Sequence, residues 1–354
     1  MKFFHIITIA ACCVAQPMRA QTDSTAVEED FSQYENVGFA DDGAKRFCTS
    51  KVLDLSPQKL ISIGYDIQGP YAMNLDSFAG GSAVQRNMGN SRGLRLFANI
   101  PVISNTAITW TIGGYYLEQI YSRKQEGGIF PFPRPSDMVW NTGIRSTALN
   151  TTVFKPLDEQ RFMLFQGQLE VNGDYGWNGI GTALDQTKGS AAVLYGKKVH
   201  DRKQWALGAV RTWRAGEINY IPALLLNYTW PSRKYGVEML FPARAAIRRT
   251  FNPRNLLFFG YELEGGSYWM QGAQNFGVND FELRRSELRF RFTYERSLHG
   301  FIWLSAQAGM RANYSFNADR GNFFRGFFGE QPFLMQNTLS PAPYLQVSLN
   351  LVSP

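Results

Sequence analysis

The chain has 354 residues, of which 44% are hydrophobic, 14% aromatic and 18% charged, with a formal net charge of +7. No stretch reaches the roughly 18 continuous apolar residues that a membrane helix needs, so a helical membrane protein is excluded. The basic balance does not indicate nucleic-acid binding, because many arginines alternate along predicted strands instead of forming a run. With 33 glycines, the composition favours one large all-β unit.

The N-terminus is typical of a secretory signal, with one positive charge followed by an apolar run. Cleavage is predicted after Ala20, which makes residues 1–20 the signal peptide, and cleavage after Ala15 is the alternative. The sequence before Cys12 also resembles a lipoprotein processing site. Once the signal is removed, Cys48 is the single cysteine, so an intramolecular disulfide is excluded.

An acidic segment follows the signal. Residues 21–43 carry seven acidic side chains and neither Lys nor Arg. Such a composition predicts a solvated, flexible stretch. We therefore expect residues 21–58 to form an acidic flexible periplasmic segment and residues 59–354 to form the folded unit.

From residue 59 onward, short runs with every second residue apolar follow one another. Successive side chains of a strand point to opposite faces, so each run predicts a strand with one apolar and one polar face. A soluble sandwich would bury the apolar face, whereas a membrane barrel turns it toward lipid. The runs are Ile61–Ile67, Leu94–Ile100, Ile108–Tyr116, 143–154, Met163–Val171, 191–195, Trp205–Trp213, Tyr220–Trp230, Val237–Phe241, Ala243–Ile247, Leu257–Leu263, Ser286–Tyr294, Ile302–Tyr314 and Leu345–Leu351.

The connections between the runs alternate in length, which decides for the barrel. Transmembrane barrels have short periplasmic turns and long external loops, an asymmetry that a soluble sandwich does not need. The short connections are 102–106, 155–160, 199–203, 231–234, 251–254 and 296–299. The long ones are 70–91, 120–142, 173–189, 266–282 and 316–342. We therefore predict an all-β fold, a transmembrane antiparallel β-barrel.

The strand number depends on Pro242. The runs on either side of it keep the same phase, which would suit one continuous strand and give thirteen strands in all. Bacterial single-chain barrels have even strand numbers. A tight bend at Pro242 and about 14 strands are therefore predicted, with 12 strands as the alternative.

Aromatic spacing agrees with a membrane-spanning wall. At about 3.4 Å per residue and a tilt of about 40°, Trp205 and Trp213 are roughly 21 Å apart along the membrane normal. The same estimate gives about 25 Å for Tyr220 and Trp230. These separations predict aromatic girdles at the two edges of the apolar band.

Four features occur together: the signal ending in Ala20-Gln21, the hairpins with short turns, the Leu240-Phe241-Pro242 step, and Glu264-Gly265-Gly266-Ser267-Tyr268 after a strand. With them the chain resembles a family of uncharacterised outer-membrane β-barrel proteins from Bacteroidetes-type Gram-negative bacteria. The resemblance covers roughly residues 50–354. It implies an outer-membrane location and a barrel fold, and it brings no established activity, cofactor or functional residues.

The sequence does not favour catalysis or metal binding. Outer-membrane enzymes rely on His as a general base near the outer rim. After the signal, His200 and His299 are the only histidines, and both fall in short turns predicted to be periplasmic. With a single cysteine besides, we predict no catalytic residues, no metal site and no cofactor.

Charged residues on the polar faces of successive strands are predicted to line the lumen. Two interpretations remain open: a charged wall that selects anionic solutes, or cross-strand ion pairs that satisfy and rigidify the interior. The lumen-lining candidates are Arg244, Arg248, Glu262, Arg285, Glu287, Arg289, Arg291 and Arg311.

The connection 316–342 is rich in phenylalanine. So many aromatic side chains need a partner or a contact with their own barrel. The segment is predicted to plug the barrel mouth or to contact lipopolysaccharide, unless it merely packs on neighbouring loops. The plug candidates are Phe323, Phe324, Phe327 and Phe328.

These observations predict a barrel in the outer membrane of a Gram-negative bacterium, reached by secretion to the periplasm. Its expected partners are membrane lipid, lipopolysaccharide and the barrel assembly machinery, and nucleic acid is not among them. The function predicted first is a channel or transporter for small solutes. The alternative is a non-conducting barrel that acts as a scaffold or adhesin through loops 316–342 and 120–142.

Overall fold

The structure, a computed structural model, describes residues 52–76, 83–121, 143–176, 180–213, 219–271, 280–319 and 333–353. All of them belong to the larger of two compact units, Lys45–Pro354. The predicted signal peptide, the cysteines and most of the acidic segment lie outside the described residues. Among the described residues, no helix is long and apolar enough to cross a lipid bilayer.

Seventeen strands make up most of the described chain. In order they are β1 (Lys59–Gln68), β2 (Tyr71–Leu75), β3 (Val84–Met88), β4 (Ser91–Ser104), β5 (Thr109–Gln119), β6 (Ile144–Pro156), β7 (Arg161–Gly173), β8 (Lys188–His200), β9 (Lys203–Thr212), β10 (Asn219–Thr229), β11 (Tyr235–Phe241), β12 (Arg244–Asn252), β13 (Asn255–Gln271), β14 (Asp280–His299), β15 (Ile302–Asp319), β16 (Asn337–Leu339) and β17 (Ala342–Val352). One helical turn, α1 (Ile180–Ala183), precedes β8.

Fourteen of these strands close into an antiparallel barrel, which confirms the predicted fold and strand number. Its order is β1-β17-β15-β14-β13-β12-β11-β10-β9-β8-β7-β6-β5-β4. The chain turns at Pro242 between β11 and β12, as predicted. Strand order in the barrel follows chain order with β2, β3 and β16 left out, so β4 pairs with β1 and β17 pairs with β15, and the pairing of β1 with β17 closes the barrel.

The two faces of the wall have opposite character, in the predicted phase. On β14, Phe290 and Phe292 are 48% and 55% exposed, whereas Glu287 and Arg289, at inward positions of the same strand, are buried. Isoleucine, leucine and phenylalanine side chains are exposed in the same way on strands around the barrel. A closed sheet with an apolar outer belt satisfies its backbone internally and suits contact with lipid, so the wall is that of a membrane-spanning barrel.

The aromatic prediction is correct at one strand and wrong at another. Tyr220 and Trp230, at the two ends of β10, are 57% and 37% exposed, as a girdle requires. Trp213 is only 5% exposed. Its indole N–H donates to the carbonyl of Gly189 at 3.2 Å, and the Lys188 ammonium lies 5.0 Å from its ring centroid, so it is a buried anchor.

The two ends of the barrel differ. Six short turns, after β4, β6, β8, β10, β12 and β14, lie at one end, which we call the short-turn end. The opposite end, the long-loop end, carries the longer connections. One connection there departs from the predicted pattern, because β11 and β12 are joined by only two residues, 242 and 243. The barrel wall is therefore shorter at this position, and we call β11 and β12 with their two-residue turn the low hairpin.

Two connections predicted as plain loops contain a small second sheet. Strands β16, β2 and β3 pair in that order, and we call them the cap sheet. Their apolar side chains join side chains from the ends of the barrel strands in the largest buried apolar cluster of the described chain. The cluster consists of Tyr71, Met73, Leu75, Met88, Tyr121, Ile144, Tyr268, Met270, Phe281, Leu283, Phe316, Ala318, Met335, Leu339 and Ala342. This cluster fills the long-loop end of the lumen.

Beyond the low hairpin, β13 changes partner. Trp269 of β13 pairs in parallel with Gly173 of β7, and the N–H of Asp174 donates to the Trp269 carbonyl at 3.3 Å. Five strands, β8 to β12, separate β7 from β13 elsewhere in the wall. At this level, nine strands close the wall instead of fourteen.

Candidate lumen site

A layer of buried charges crosses the lumen directly below the cap-sheet cluster. It consists of four arginines and three carboxylates, and we call it the charge layer: Asp66, Arg95, Glu264, Arg285, Glu287, Arg289 and Arg311. The residues come from β1, β4, β13, β14 and β15, where each occupies an inward position of its strand. All except Glu264 are buried.

The layer is held across the lumen by Arg95 and Glu264. The Arg95 guanidinium donates to both carboxylate oxygens of Glu264, at 2.8 and 2.9 Å, and to Asp66 at 3.0 Å. Arg289 also donates to Glu264, at 2.5 Å. Bidentate arginine–carboxylate pairs are among the strongest and most directional protein hydrogen bonds. This pair, which we call the Arg95–Glu264 chord, spans the lumen from β4 to β13 and therefore divides it.

The remaining pairs follow from strand geometry. Arg285, Glu287 and Arg289 occupy alternate positions of β14, which places all three on one face. Glu287 accepts from Arg285 at 2.8 Å and from Arg289 at 2.6 Å. Arg311, on the neighbouring strand, donates to Asp66 and, at 2.9 Å, to Gln68. Each buried charge thus has a partner of opposite sign, without which burial would be very costly.

An aromatic ring completes this network. Tyr344 of β17 lies with its ring centroid 4.7 Å from the Arg311 guanidinium and 5.6 Å from that of Arg289. Guanidinium groups are attracted to aromatic faces at such distances. The ring therefore stabilises positive charge in a layer that has one more arginine than carboxylates.

A cavity of about 600 Å³ lies on the short-turn side of the charge layer. Its polar lining includes the Glu262–Arg291 ion pair, together with Glu238 and Glu295. Its apolar lining includes Phe97, Leu117, Leu225, Leu240 and Phe258. Pockets that bind small molecules have this volume, and about half of the residues that line this one are polar or charged.

The segment 52–58, which we call the strap, crosses the lumen at the short-turn end. It precedes β1, yet the backbone N–H and hydroxyl of Ser56 donate to Glu238 of β11 at 3.1 and 2.6 Å. The Thr229 hydroxyl donates to the carbonyl of Leu53 at 3.0 Å. Because β1 and β11 lie on opposite sides of the barrel, the strap narrows this mouth, and residues 55–58 line the cavity.

The structure places the predicted lumen-lining residues in three groups. Arg285, Glu287, Arg289 and Arg311 belong to the charge layer. Glu262 and Arg291 pair along the cavity wall. Arg248 is fully buried and donates to Glu238 at 2.7 Å and to Thr229 at 2.9 Å.

Arg244 stands apart from those groups. It is exposed, lies at the low hairpin and lines the cavity. Among the described residues, no acidic side chain forms an ion pair with it. The four plug candidates Phe323, Phe324, Phe327 and Phe328 lie outside the described residues. Their described neighbours Phe316 and Met335 are buried in the cap-sheet cluster.

Sequence reasoning missed the partners contributed by the first strands. Asp66 and Arg95 occupy polar positions in the runs Ile61–Ile67 and Leu94–Ile100, so alternation alone could have placed them inside. Glu264 continues the inward phase of Glu262 by two residues. No signal in the sequence indicated that these three would meet, because their contact depends on closure of the barrel.

No arrangement for catalysis or metal binding appears among the described residues. Within those ranges, no three His, Cys, Asp or Glu side chains form a group that could hold a metal ion. His200 lies in a short turn, where its Nδ1 accepts from the N–H of Arg202 at 3.2 Å.

No family model and no curated protein matches the sequence. Solved structures similar to the chain include the toluene transporter TodX of Pseudomonas putida, with 8% identity over 86% of this chain and 93% of that one, at a TM-score of 0.34. An outer-membrane channel from Pseudomonas putida F1 shares 12% identity, covers 84% and 97%, and has a TM-score of 0.34. LpxR from Salmonella typhimurium shares 10%, covers 82% and 100%, and has a TM-score of 0.33. Similarity at these levels does not identify a function, which the lumen geometry of the chain itself has to indicate.

Proposed function

We propose that this protein is an outer-membrane transporter or channel for small solutes, which holds its solute in the lumen cavity. The observation that carries the proposal is the cavity of about 600 Å³ between the charge layer and the strap. Small barrels fill their interior with side chains, whereas larger ones enclose ligand cavities or channels. Here the interior keeps a space lined by both apolar and charged groups.

The long-loop end corresponds to the cell exterior in this proposal, because long loops face outward in such barrels. The cap sheet and the charge layer then close the outer mouth, and the strap restricts the periplasmic one. Passage along the axis requires the cap sheet to move. Its docking depends on the buried side chains of Met73 and Leu75.

The experiment is a conductance and uptake measurement on the refolded protein in lipid bilayers. The parent is expected to conduct poorly. Met73→Asp/Leu75→Asp places two charges in the cap-sheet cluster, which should displace the cap and raise conductance. Asn74→Asp, on the exposed side of the same strand, is the matched control and should behave like the parent.

The charge layer sets the expected ion preference. Four arginines face three carboxylates, so an opened lumen should favour anions, since a confined charged pore focuses its potential on passing ions. Replacing Arg291, which lines the cavity and is not part of the charge layer, by Glu should weaken that preference. A cap-displaced barrel without anion preference would contradict this part of the proposal.

The second candidate function is a non-conducting scaffold or adhesin. The Arg95–Glu264 chord and the cap-sheet cluster favour it, since both obstruct the axis of the lumen. It predicts that Met73→Asp/Leu75→Asp assembles fully and still passes neither ions nor solutes. That result, with folding verified by heat-modifiable migration, would replace the transport proposal.

A further inference from the structure

The barrel wall is interrupted beside β13. The last residues that pair β12 with β13 are Arg244 and Glu262, and the N–H of Leu263 donates to the Ala243 carbonyl at 2.8 Å. Further along, β13 meets β7. Among the described strands, none pairs with residues 264–268 along this edge. Residues 266–268 are nevertheless buried there, and the Ser267 carbonyl accepts from the Lys188 ammonium of β8 at 3.2 Å, so the edge is uncovered only at 264 and 265. We call the opening between this edge and the β11–β12 turn the lateral gap.

The lateral gap opens within the apolar belt. Phe241, at the tip of the low hairpin, pairs with Leu224 of β10 and is half exposed. Tyr220, the exposed girdle residue of β10, lies four residues closer to the long-loop end. At about 3.4 Å per residue, the hairpin tip lies roughly 14 Å below Tyr220 along the strand. The tip therefore lies within the apolar belt.

The lumen cavity reaches this gap. Its lining includes Leu263 and Gly265 of β13, at the edge that lacks a strand partner. It also includes Met239, Ala245 and Tyr261. These three occupy one cross-strand row whose side chains alternate away from the inward row of Leu240, Arg244 and Glu262. The cavity thus extends to the top of β12.

Arg244 lies at the edge of the lateral gap, and the carboxylates nearest to it are already paired with other arginines. Its nearest carboxylate across the strands, Glu262, is hydrogen-bonded to Arg291. The next carboxylate, Glu264, is saturated by Arg95 and Arg289. A guanidinium at a bilayer edge, next to carboxylates already paired, is suited to a carboxylate or phosphate head group.

Apolar side chains continue inward from this position. Leu240 directly precedes Phe241 at the hairpin tip, and Leu225 and Phe258 line the cavity beyond it. Leu225 and Leu240 also pack against the buried cluster around Phe162 and Leu194, so this side of the cavity is backed by apolar surface. An alkyl chain would find apolar contacts on this side of the cavity, whose other walls carry Glu238, Arg291 and Thr293.

We propose that the lateral gap admits an anionic amphiphile, an alkyl chain carrying one carboxylate or phosphate group, between the bilayer and the lumen cavity, with Arg244 binding the head group. The inference rests on the proposed transport function and names its solute class and route. It also gives a role to the hairpin at Leu240-Phe241-Pro242 and to the segment Glu264-Gly265-Gly266, which frame the gap.

The test is photo-crosslinking of the full-length protein in phosphatidylcholine nanodiscs. The probe is hexadecanoate that carries a diazirine near its methyl end. Labelling is expected on residues that line the gap and cavity, such as Leu240 and Leu263. Arg244→Gln should lower labelling on the order of tenfold, the effect of one lost charge-assisted hydrogen bond. Arg249→Gln, on the same strand with its guanidinium 4.9 Å from the Phe251 ring, should leave it unchanged.

A second pair of variants tests the route. Gly265→Trp should obstruct the gap and abolish cavity labelling, whereas Gly181→Trp, whose added side chain meets open space, should not. If Gly265→Trp fails to fold, Leu263→Trp replaces it. Competition by unlabelled hexadecanoate or by a single-chain phosphatidylglycerol distinguishes a carboxylate from a lipid phosphate, and hexadecyltrimethylammonium should not compete.

The outcomes separate this inference from the function on which it rests. Labelling spread evenly over the apolar belt and unaffected by Arg244→Gln would overturn the lateral site. If small solutes still cross bilayers that contain the cap-displaced variant, the transport proposal stands without it. Site-specific labelling without any solute passage would support the amphiphile site and remove the axial path.

Discussion

Arg95 and Glu264 form two parallel hydrogen bonds, at 2.8 and 2.9 Å, from strands that four other strands separate in the barrel wall. The pair links the first hairpins of the chain to its last third. The contribution of the pair to stability depends on both residues, because removing one partner of a buried pair leaves the other charge without compensation.

We therefore expect Arg95→Met and Glu264→Met, as single variants, each to lower the free energy of unfolding by about 3–5 kcal/mol. The double variant Arg95→Met/Glu264→Met should lose less than the sum of the two single variants, because neither charge then remains. Urea titration in lipid vesicles measures all three. Arg161→Met, which breaks the exposed Asp158–Arg161 pair in a short turn, is the control and should change little. Additive losses would mean that Arg95 and Glu264 do not interact.

Phe290→Arg should impair assembly, since an arginine on the lipid face near the midplane costs about 2–4 kcal/mol. Phe290→Leu, which keeps the face apolar, should be tolerated. The yield of heat-modifiable, folded barrel is the readout. Equal yields of the two variants would mean that this face does not contact lipid.

Alternation alone predicts that Arg289→Leu, on the opposite face, is the milder change. The ion pairs reverse that expectation. Arg289 donates to both Glu287 and Glu264, and its removal weakens the pairing of both, at an estimated cost of about 3 kcal/mol or more. We expect Arg289→Leu to be as harmful as Phe290→Arg. A stability close to that of the parent would show that the other arginines of the layer suffice.

Arg289 and Phe290 show which structural features can be predicted from the sequence and which cannot. Period-two alternation fixes which face each side chain occupies, so the barrel, its strand number and the inward charges could be predicted. Which inward charges meet depends on closure and register, which involve strands far apart in the chain. The cap sheet was missed for another reason: its strands have five, five and three residues, too few to show a period.

The lateral gap lies further beyond sequence reasoning. It exists because β13 continues nine residues past its last pair with β12 and then meets β7. The Pro242 bend predicted a short hairpin, but not how far its neighbour would extend. Arg244 was recognised as an inward charge, whereas its lack of an acidic partner among the described residues could not be read from alternation.

Orientation in the membrane is the next prediction. Asn74 lies on the exposed side of the cap sheet, and Arg233 lies in an exposed short turn at the opposite end. On intact cells, a membrane-impermeant maleimide should label Asn74→Cys and not Arg233→Cys, in a Cys48→Ser background. After the outer membrane is permeabilised, both should react. Labelling of Arg233→Cys alone on intact cells would reverse the assignment of the two ends.

Docking of the cap should depend on alkaline pH. Burial raises the pKa of Tyr71 to about 12, above the usual value of about 10. The folded state favours the neutral phenol, so its contribution to stability is fully present below about pH 10 and is lost as the pH rises through about 12. The difference in phenolate absorbance between the parent and Tyr71→Phe should titrate near the raised pKa. A midpoint near the usual value would mean that the cap leaves Tyr71 in water.

The strap should open more readily than the wall. Its attachment to β11 depends on the two hydrogen bonds from Ser56 to Glu238. Ser56→Ala removes one of them, which should speed amide hydrogen exchange in residues 53–58 while β14 stays protected. Ser340→Ala, which removes a comparable exposed bond at the cap sheet, is the control. Unchanged exchange would show that the remaining contacts hold the strap: the backbone N–H of residue 56 to Glu238, the Asp54–Arg233 ion pair and the hydrogen bonds of Leu53.

The pairing of β7 with β13 also has a mechanical consequence for the bilayer. With strands about 4.8 Å apart and tilted by about 40°, fourteen strands give a circumference of about 88 Å, whereas nine give about 56 Å. The narrowing starts at the lateral gap, inside the apolar belt, so the barrel displaces less area in one leaflet than in the other. Lipids around it must splay to fill the difference. Insertion should therefore be favoured by membranes whose leaflets differ in spontaneous curvature.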